Sequence, residues 1–427
     1  MQIPIETYTL PNGLRVVLSE DHASPVVAVN LWYDVGSRNE RPGRTGLAHL
    51  FEHLMFQGSE NVPANEHISS VERVGGSVNG STWLDRTNYY ETVPASRLEL
   101  ALWLEADRMG FFLPAITQEK LDNQRSVVKN ERRQRVDNQP YGDWDERLQA
   151  MVFPPDHPYH HSVIGSMEDL DGATLDDVRD FFRTYYAPNN AVLTICGDFE
   201  AEQARAMVER YFGPIPRGPE VPPLPGEPRV PHHMAGEVRE RIEGDVALPR
   251  LYLGFRTPPL GTDEFYAADV LTHVLAQGRS SRLYRSLVRE QRVAKDVGAY
   301  AFPVITGAAM LFVSATANPG IDPERLEAAV LAELDALRDA PELDTEVERA
   351  VTGIEARWVI GLQQVGERAN DLSMYTTQFG DPERINTEID HYRAVTAERV
   401  RRFALEYLAA DNRAVLTYVP RERQEAA

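Results

Sequence analysis

The chain repeats itself. The segment Thr174-Leu-Asp-Asp-Val-Arg-Asp-Phe-Phe-Arg-Thr-Tyr185 returns 222 residues later as Thr396-Ala-Glu-Arg-Val-Arg-Arg-Phe-Ala-Leu-Glu-Tyr407. Val178, Phe181 and Tyr185 fall on Val400, Phe403 and Tyr407, the spacing of one apolar helix face. Each copy then passes through an Asn-containing turn into the same strand, Ala191 to Thr194 and Ala414 to Thr417. Two amphipathic helices can resemble each other by chance, but a helix, a turn and a strand repeating together signal a duplicated domain. Between the copies lie eight prolines within 214–231, a semi-extended stretch of low helix and strand propensity. With 427 residues there is chain enough for two domains of about 200 residues each. The expected organisation is therefore a domain over 1–213, a linker over 214–231 and a homologous domain over 232–427. The fold class is α/β (α+β): in each domain a mixed, mostly antiparallel sheet with helices packed on one side.

Within the first half, Gly46-Leu-Ala-His49-Leu-Phe-Glu52-His53-Leu-Met-Phe-Gln-Gly58 carries the densest chemistry of the chain. It reads H-x-x-E-H, the inverted zinc-peptidase order. On a helix, residues three and four apart share a face, so His49, Glu52 and His53 project together. Two neutral imidazoles at that spacing can hold zinc, and the carboxylate between them can take a proton from the water that zinc activates. The apolar flanks, Leu47, Leu50, Phe51, Leu54 and Met55, suit a buried helix, with Gly58 as a C-cap. In the second half the same positions read Asp269 for His49, Thr272 for Glu52 and His273 for His53. That copy keeps the helix but loses one histidine and the base, so one half carries a metal site and the other does not.

Composition removes several classes of function. A net charge of −21 is wrong for binding nucleic acid, whose phosphates need clustered Lys and Arg. No run approaches the roughly 18 apolar residues of a membrane span. The single cysteine, Cys196, excludes an intramolecular disulfide and a thiolate zinc site, and its apolar neighbours make it a core residue. The first residues lack a basic region followed by an apolar core. The expected location is cytoplasmic, or periplasmic or secreted if a signal has been removed.

Catalytic zinc needs a third protein ligand and an open position. A helix beginning near Gln118 offers Glu119 and Glu131. In these motifs the chain resembles the pitrilysin/insulinase family of zinc metallopeptidases, in the branch with the mitochondrial processing peptidase and its bacterial homologues. The likeness extends over nearly the whole chain, from Asn12-Gly13 through the linker to the duplicated half. In that family the third ligand is a glutamate about 75 residues beyond the second histidine, in a helix reading roughly E-x-x-V-[VI]-x-x-E. Asn123-Gln124-Arg-Ser-Val127-Val128-Lys-Asn-Glu131 fits, with 77 residues between His53 and Glu131. The resemblance thus makes Glu131 the third ligand of one zinc ion per chain. It also gives Asn79, Gly80, Ser81 and Thr82 the role of an edge strand that pairs with the substrate backbone.

There are two departures from the family pattern. Gln124 stands where the family often has a second glutamate; an amide there can hold a hydrogen bond behind the ligands but adds no charge. Family members also carry an arginine and a tyrosine for substrate binding in a metal-free half. Arg289 matches the arginine, but the tyrosine position falls on Lys295 or Asp296, and Tyr300 is out of register. The resemblance implies that a single chain forms half of a clamshell. A chain with the metal motif and without the tyrosine is then expected to be the catalytic subunit of a heterodimer, in preference to a homodimer. Its partner would be a metal-free homologue that supplies the arginine and tyrosine. The implied activity is endopeptidase cleavage of unfolded peptides, such as leader or targeting peptides and oligopeptides. The competing readings are a non-catalytic structural subunit and a peptide-binding module.

Overall fold

The computed structural model describes residues 2–421. In the N-terminal half the strands are β1 (Glu6–Thr9), β2 (Arg15–Glu20), β3 (Val26–Tyr33), β4 (Ser77–Thr82), β5 (Thr87–Pro94) and β6 (Ala191–Gly197). The helices among them are α1 (Leu47–Leu54), α2 (Glu66–Arg73), α3 (Leu98–Phe111), α4 (Gln118–Arg132), α5 (Trp144–Val152), α6 (Met167–Gly172), α7 (Leu175–Tyr185) and α8 (Ala201–Phe212). Beyond the proline-rich stretch come β7 (Val238–Gly244), β8 (Arg250–Thr257), α9 (Asp263–Ala276), β9 (Ala294–Ala301) and β10 (Ala309–Ala317). They are followed by α10 (Pro323–Asp335), α11 (Leu343–Leu362), α12 (Val365–Phe379), α13 (Glu388–Arg393), α14 (Ala397–Tyr407) and β11 (Arg413–Pro420).

These elements gather into two compact units, and neither is contiguous in sequence. The first takes the chain up to Glu131, then Ser162–Pro225 and Trp358–Glu388. The second takes Arg132–His161, Gly226–Arg357 and the chain from Ile389 on. One crossing, Pro225 to Gly226, lies inside the proline-rich stretch, but the expected domains 1–213 and 232–427 are regrouped. The cause is that one helix of each half, α5 and α12, finds its apolar partner on the sheet built from the other half, and so belongs to that sheet's unit. Within the second unit, Trp144 of α5 stacks flat on Tyr252 of β8 at 4.7 Å. Gly254 of β8 leaves room there, since a Cβ would come within 2.9 Å of Leu148 and Val152.

The sheet of the first unit runs β1-β2-β6-β3-β5-β4, with β2 and β6 parallel and every other pair antiparallel. Successive side chains of a strand point to opposite faces, and both faces are covered. Val16, Leu18, Val29, Leu31, Leu193 and Ile195 join the main core with α1, α3, α7 and α8. Val17, Ala28, Val192 and Cys196 lie in a second cluster with Ala369, Leu372 and Tyr375 of α12. Helices on one side only was the expectation, and α12 corrects it. Uninterrupted runs such as Val16-Val17-Leu18 are the mark of a strand buried on both faces. Each such side chain taken fully from water contributes about 1.5–3 kcal/mol.

The second sheet runs β7-β11-β8-β10-β9, with β7 and β11 parallel and the rest antiparallel. Strand for strand this is β2-β6-β3-β5-β4 of the first sheet, so the duplication extends to sheet topology, with β1 as an added edge strand in the first unit. It extends to caps and turns. The hydroxyls of Thr174 and Thr396 both accept the third helical N–H, from Asp177 and Arg399. The Asn190 amide donates to the carbonyls of Tyr185 (2.9 Å) and Asp34 (3.3 Å). The Asn412 amide donates to those of Tyr407 and Arg256, both at 2.8 Å. In each unit one asparagine ties the end of a helix to the end of a central strand.

Candidate active site

Helix α1 is set by groups outside it. Gly46 precedes it at φ 84°, and a Cβ there would press within 2.5 Å of the Ile164 carbonyl. No side chain of its own caps the first turn; the buried Glu40 carboxylate accepts from Gly46 N (2.9 Å) and Ala48 N (2.7 Å). Burial holds the Glu40 carboxyl well above its usual range against the pull of those donors. Leu47, Ala48, Leu50, Phe51 and Leu54 are buried, which leaves His49, Glu52 and His53 on the remaining face. The helix ends at Leu54, earlier than a Gly58 cap implied. Phe56 N and Gln57 N bond back to His53 and Leu54 and tighten the last turn, and Gly58 lies beyond it.

Glu131 reaches this face from the last turn of α4. Its Oε2 is 3.3 Å from His53 Nε2 and 3.8 Å from His49 Nε2. The two imidazoles stand edge to face with centroids 4.9 Å apart. Ligand bonds of 2.0–2.2 Å in a tetrahedral zinc site put ligand atoms about 3.3–3.6 Å from each other. Two nitrogens and a carboxylate oxygen at these separations fit zinc with one position left open. The chain continues from α4 into a π-helical turn, Arg133–Asp137, a distortion that recurs at functional sites. Glu119, the other glutamate of that helix, is exposed in its first turn, about 18 Å from Glu131 along the axis. Gln124 is buried two turns before Glu131, on the same helix face.

Glu52 does not join the group of His49, His53 and Glu131. Its Oε2 accepts a 2.6 Å hydrogen bond from the Thr82 hydroxyl on β4. Burial raises the Glu52 pKa, and the Thr82 bond and the neighbouring His53 oppose that rise. Arg86, whose own pKa burial pulls down to about 10, adds positive potential and ties the strand by donating to the Ser81 carbonyl at 2.7 Å. Gly80 is where helix and strand touch most closely: a Cβ would meet Glu52 Cγ, Phe56 and Tyr89, each at 3.2 Å.

Strand β4 is the sheet edge, paired only with β5 among the described residues. Asn79 is exposed, Gly80 buried, and Ser81 and Thr82 half-buried. Asn79 turns its amide oxygen back to Gly80 N at 2.9 Å, and Ser81 bonds Asn88 at 2.8 Å. The four-residue segment therefore does lie beside the motif, but Thr82 spends its side chain on Glu52. Sequence gave no sign of that bond, nor of Glu40 as the cap, because both arise from register and chain crossing. Arg289 is exposed in a π-helical turn of the second unit, and Lys295 and Asp296 are exposed on β9.

The degenerate copy in the second unit has a guanidinium instead of ligands. Arg357 of α11 donates to His273 Nδ1 at 2.7 Å, and the Tyr392 hydroxyl donates to Asp269 at 3.0 Å. Burial and the Arg357 charge push the His273 pKa down to about 4.

Comparison with known proteins agrees with this division. The family model for insulinase (peptidase family M16) matches residues 15–154, and the model for the M16 inactive domain matches 172–354. A protein of Helicobacter pylori named zinc protease PqqE is 31% identical over 379 residues, spanning 87% of this chain and 83% of that one. This chain belongs to the insulinase (M16) peptidase family. An uncharacterized zinc protease of Mycobacterium leprae is 29% identical over 94% of this chain and 88% of its own. The crystal structure of a protease from Helicobacter pylori superposes with a TM-score of 0.92 at 28% identity, covering 98% of this chain and all of that one. In this M16 chain the described residues contain no helix long and apolar enough to cross a membrane.

Proposed function

We propose that this M16 chain is a zinc-dependent endopeptidase and the catalytic subunit of a heterodimer. The observation that carries the reading is the juxtaposition on α1: a ligand set of His49, His53 and Glu131, with Glu52 beside it and held by Thr82. Those three residues would hold one zinc ion, which when bound acts as a Lewis acid and lowers the pKa of water to about 7. Glu52 is the base that takes the proton of the attacking water and later returns it to the leaving amine. Thr82 fixes one carboxylate oxygen, so the other is presented in a single orientation. Its half-buried setting raises the proton affinity of Glu52, which favours an acceptor that must hold a proton mid-reaction. The unpaired side of β4 would receive the substrate backbone as an added strand, the mode open to extended and hence unfolded peptides.

The partner subunit is inferred from chemistry this chain lacks. Arg289 is present, but Lys295 and Asp296 stand in place of the tyrosine, so a metal-free homologue would complete substrate binding. The test of the catalytic reading is Glu52→Gln. It is expected to retain zinc and lose peptide cleavage by about 10²–10⁴-fold, the usual worth of a general base. Cleavage at the unaltered rate would overturn the assignment.

A further inference from the structure

The first unit holds a second group of ligand-type side chains, sealed from solvent. His67 on α2, Glu91 on β5 and Glu105 on α3 are each at most 4% exposed. His67 Nε2 lies 3.7 Å from Glu91 Oε2 and 3.7 Å from Glu105 Oε1. These distances are too long for hydrogen bonds. They match the 3.3 and 3.8 Å spacings of the His49–His53–Glu131 group.

Most of the atoms facing inward lack hydrogen-bond donors; Glu105 Oε1 accepts from Arg108. Among the described residues, neither Glu91 oxygen receives an N–H or O–H, and His67 Nε2 and Glu105 Oε2 are likewise unmatched. Glu91 faces Glu105, a second acceptor; among the described residues Arg108 bonds Glu105 and not Glu91, so a proton or a cation between the two carboxyls would join them.

Charge points the same way. Asp107, also buried, accepts from Ser59 and from the Asn61 amide (2.6 Å) beside the cluster. Arg108 pairs with Glu105, its guanidinium 4.1 Å above the Tyr89 ring and 5.1 Å from that of Phe56. Three carboxylates thus lie with one guanidinium and an imidazole. A shared proton removes half of the excess negative charge, whereas a divalent cation removes all of it.

We propose that His67, Glu91 and Glu105 bind a second divalent cation of the zinc class that joins α2 and α3 to β5. One imidazole and two carboxylates make a donor set for zinc or manganese. Burial of all three residues suits a structural ion, with no path for substrate to the remaining position. Its place explains a use: Phe56, just past α1, packs 6.2 Å from His67 and 5.8 Å from Tyr89 on β5. The cation would brace the layer against which α1 and the edge strand β4 rest.

Metal content of the full chain, measured by plasma mass spectrometry after equilibration with zinc and removal of loose metal, tests this. The unaltered protein is expected to hold two equivalents. His53→Ala combined with Glu131→Ala is expected to hold one, and chelation of that double variant to lower its Tm. Adding Glu91→Gln, which keeps the side-chain volume, is expected to remove the remaining equivalent. The proposal is overturned if the double variant binds neither zinc nor manganese, in which case a proton shared by Glu91 and Glu105 stands in its place. It is equally overturned if the metal survives Glu91→Gln. Should the triple variant not fold, the chelator decides, and an unmoved Tm counts against the site. The equivalent lost between unaltered protein and double variant reports separately on the catalytic site.

Discussion

Among the described residues, Thr82 is the side chain that hydrogen-bonds Glu52, the proposed base. Its hydroxyl is 2.6 Å from Glu52 Oε2, and a hydrogen bond to a charged group is worth about 1.5–3 kcal/mol. Thr82→Ala is expected to lower kcat by about tenfold or more, with zinc content unchanged, and Thr82→Ser to restore most of it. An alanine variant with full kcat would mean that Glu52 is held by something else. At the degenerate site, His273 is kept neutral by burial and then by Arg357, with its pKa near 4. The sign follows from that depression. Between the ordinary value of 6.5 and about 4, the unfolded chain binds the proton and the native protein does not. The His273 contribution to stability is therefore complete above about 6.5 and lost as the pH falls towards about 4. Removing the cation by Arg357→Gln is expected to move the His273 midpoint upward in an NMR titration, and an unmoved midpoint would show that burial alone sets it.

Helix α1 depends on Glu40, six residues before Gly46, for the two N–H groups its own first turn leaves open. Glu40→Ala is expected to destabilise the protein by about 1–3 kcal/mol, the cost of unmet buried donors, read as a lower denaturation midpoint with an unchanged m-value. A midpoint within error of the unaltered protein would remove Glu40 as the cap. The helix itself was legible in the sequence because its periodicity and its H-x-x-E-H spacing are local. Its end was not, since the tight turn at His53 to Gln57 wins over the glycine at 58. The Glu40 cap and the Thr82 bond were beyond reach for the same reason: each joins residues whose nearness depends on how loops and strands cross. Glu131 could be named as the proposed third ligand only through the family frame, because Glu119 shares its helix and its chemistry.

At the scale of the molecule, the duplication was readable because helix, turn and strand recur with their caps and asparagines. The regrouping of 132–161 and 358–388 was not, since nothing local in α5 or α12 says which sheet will cover its apolar face. If the substrate site is completed by another chain, the isolated protein should cleave unfolded peptides poorly. Adding a metal-free homologue with the arginine and tyrosine should then raise kcat/KM at least tenfold, and full activity of the isolated chain would contradict the heterodimer. The central claim is more elementary: one zinc bound by His49, His53 and Glu131. Anomalous diffraction from crystals of the zinc-loaded protein, collected at the zinc edge, tests it most directly. The expected result is a peak within about 2.0–2.2 Å of both imidazole Nε2 atoms and a Glu131 carboxylate oxygen. A zinc-loaded crystal with no peak between those three side chains would contradict the account.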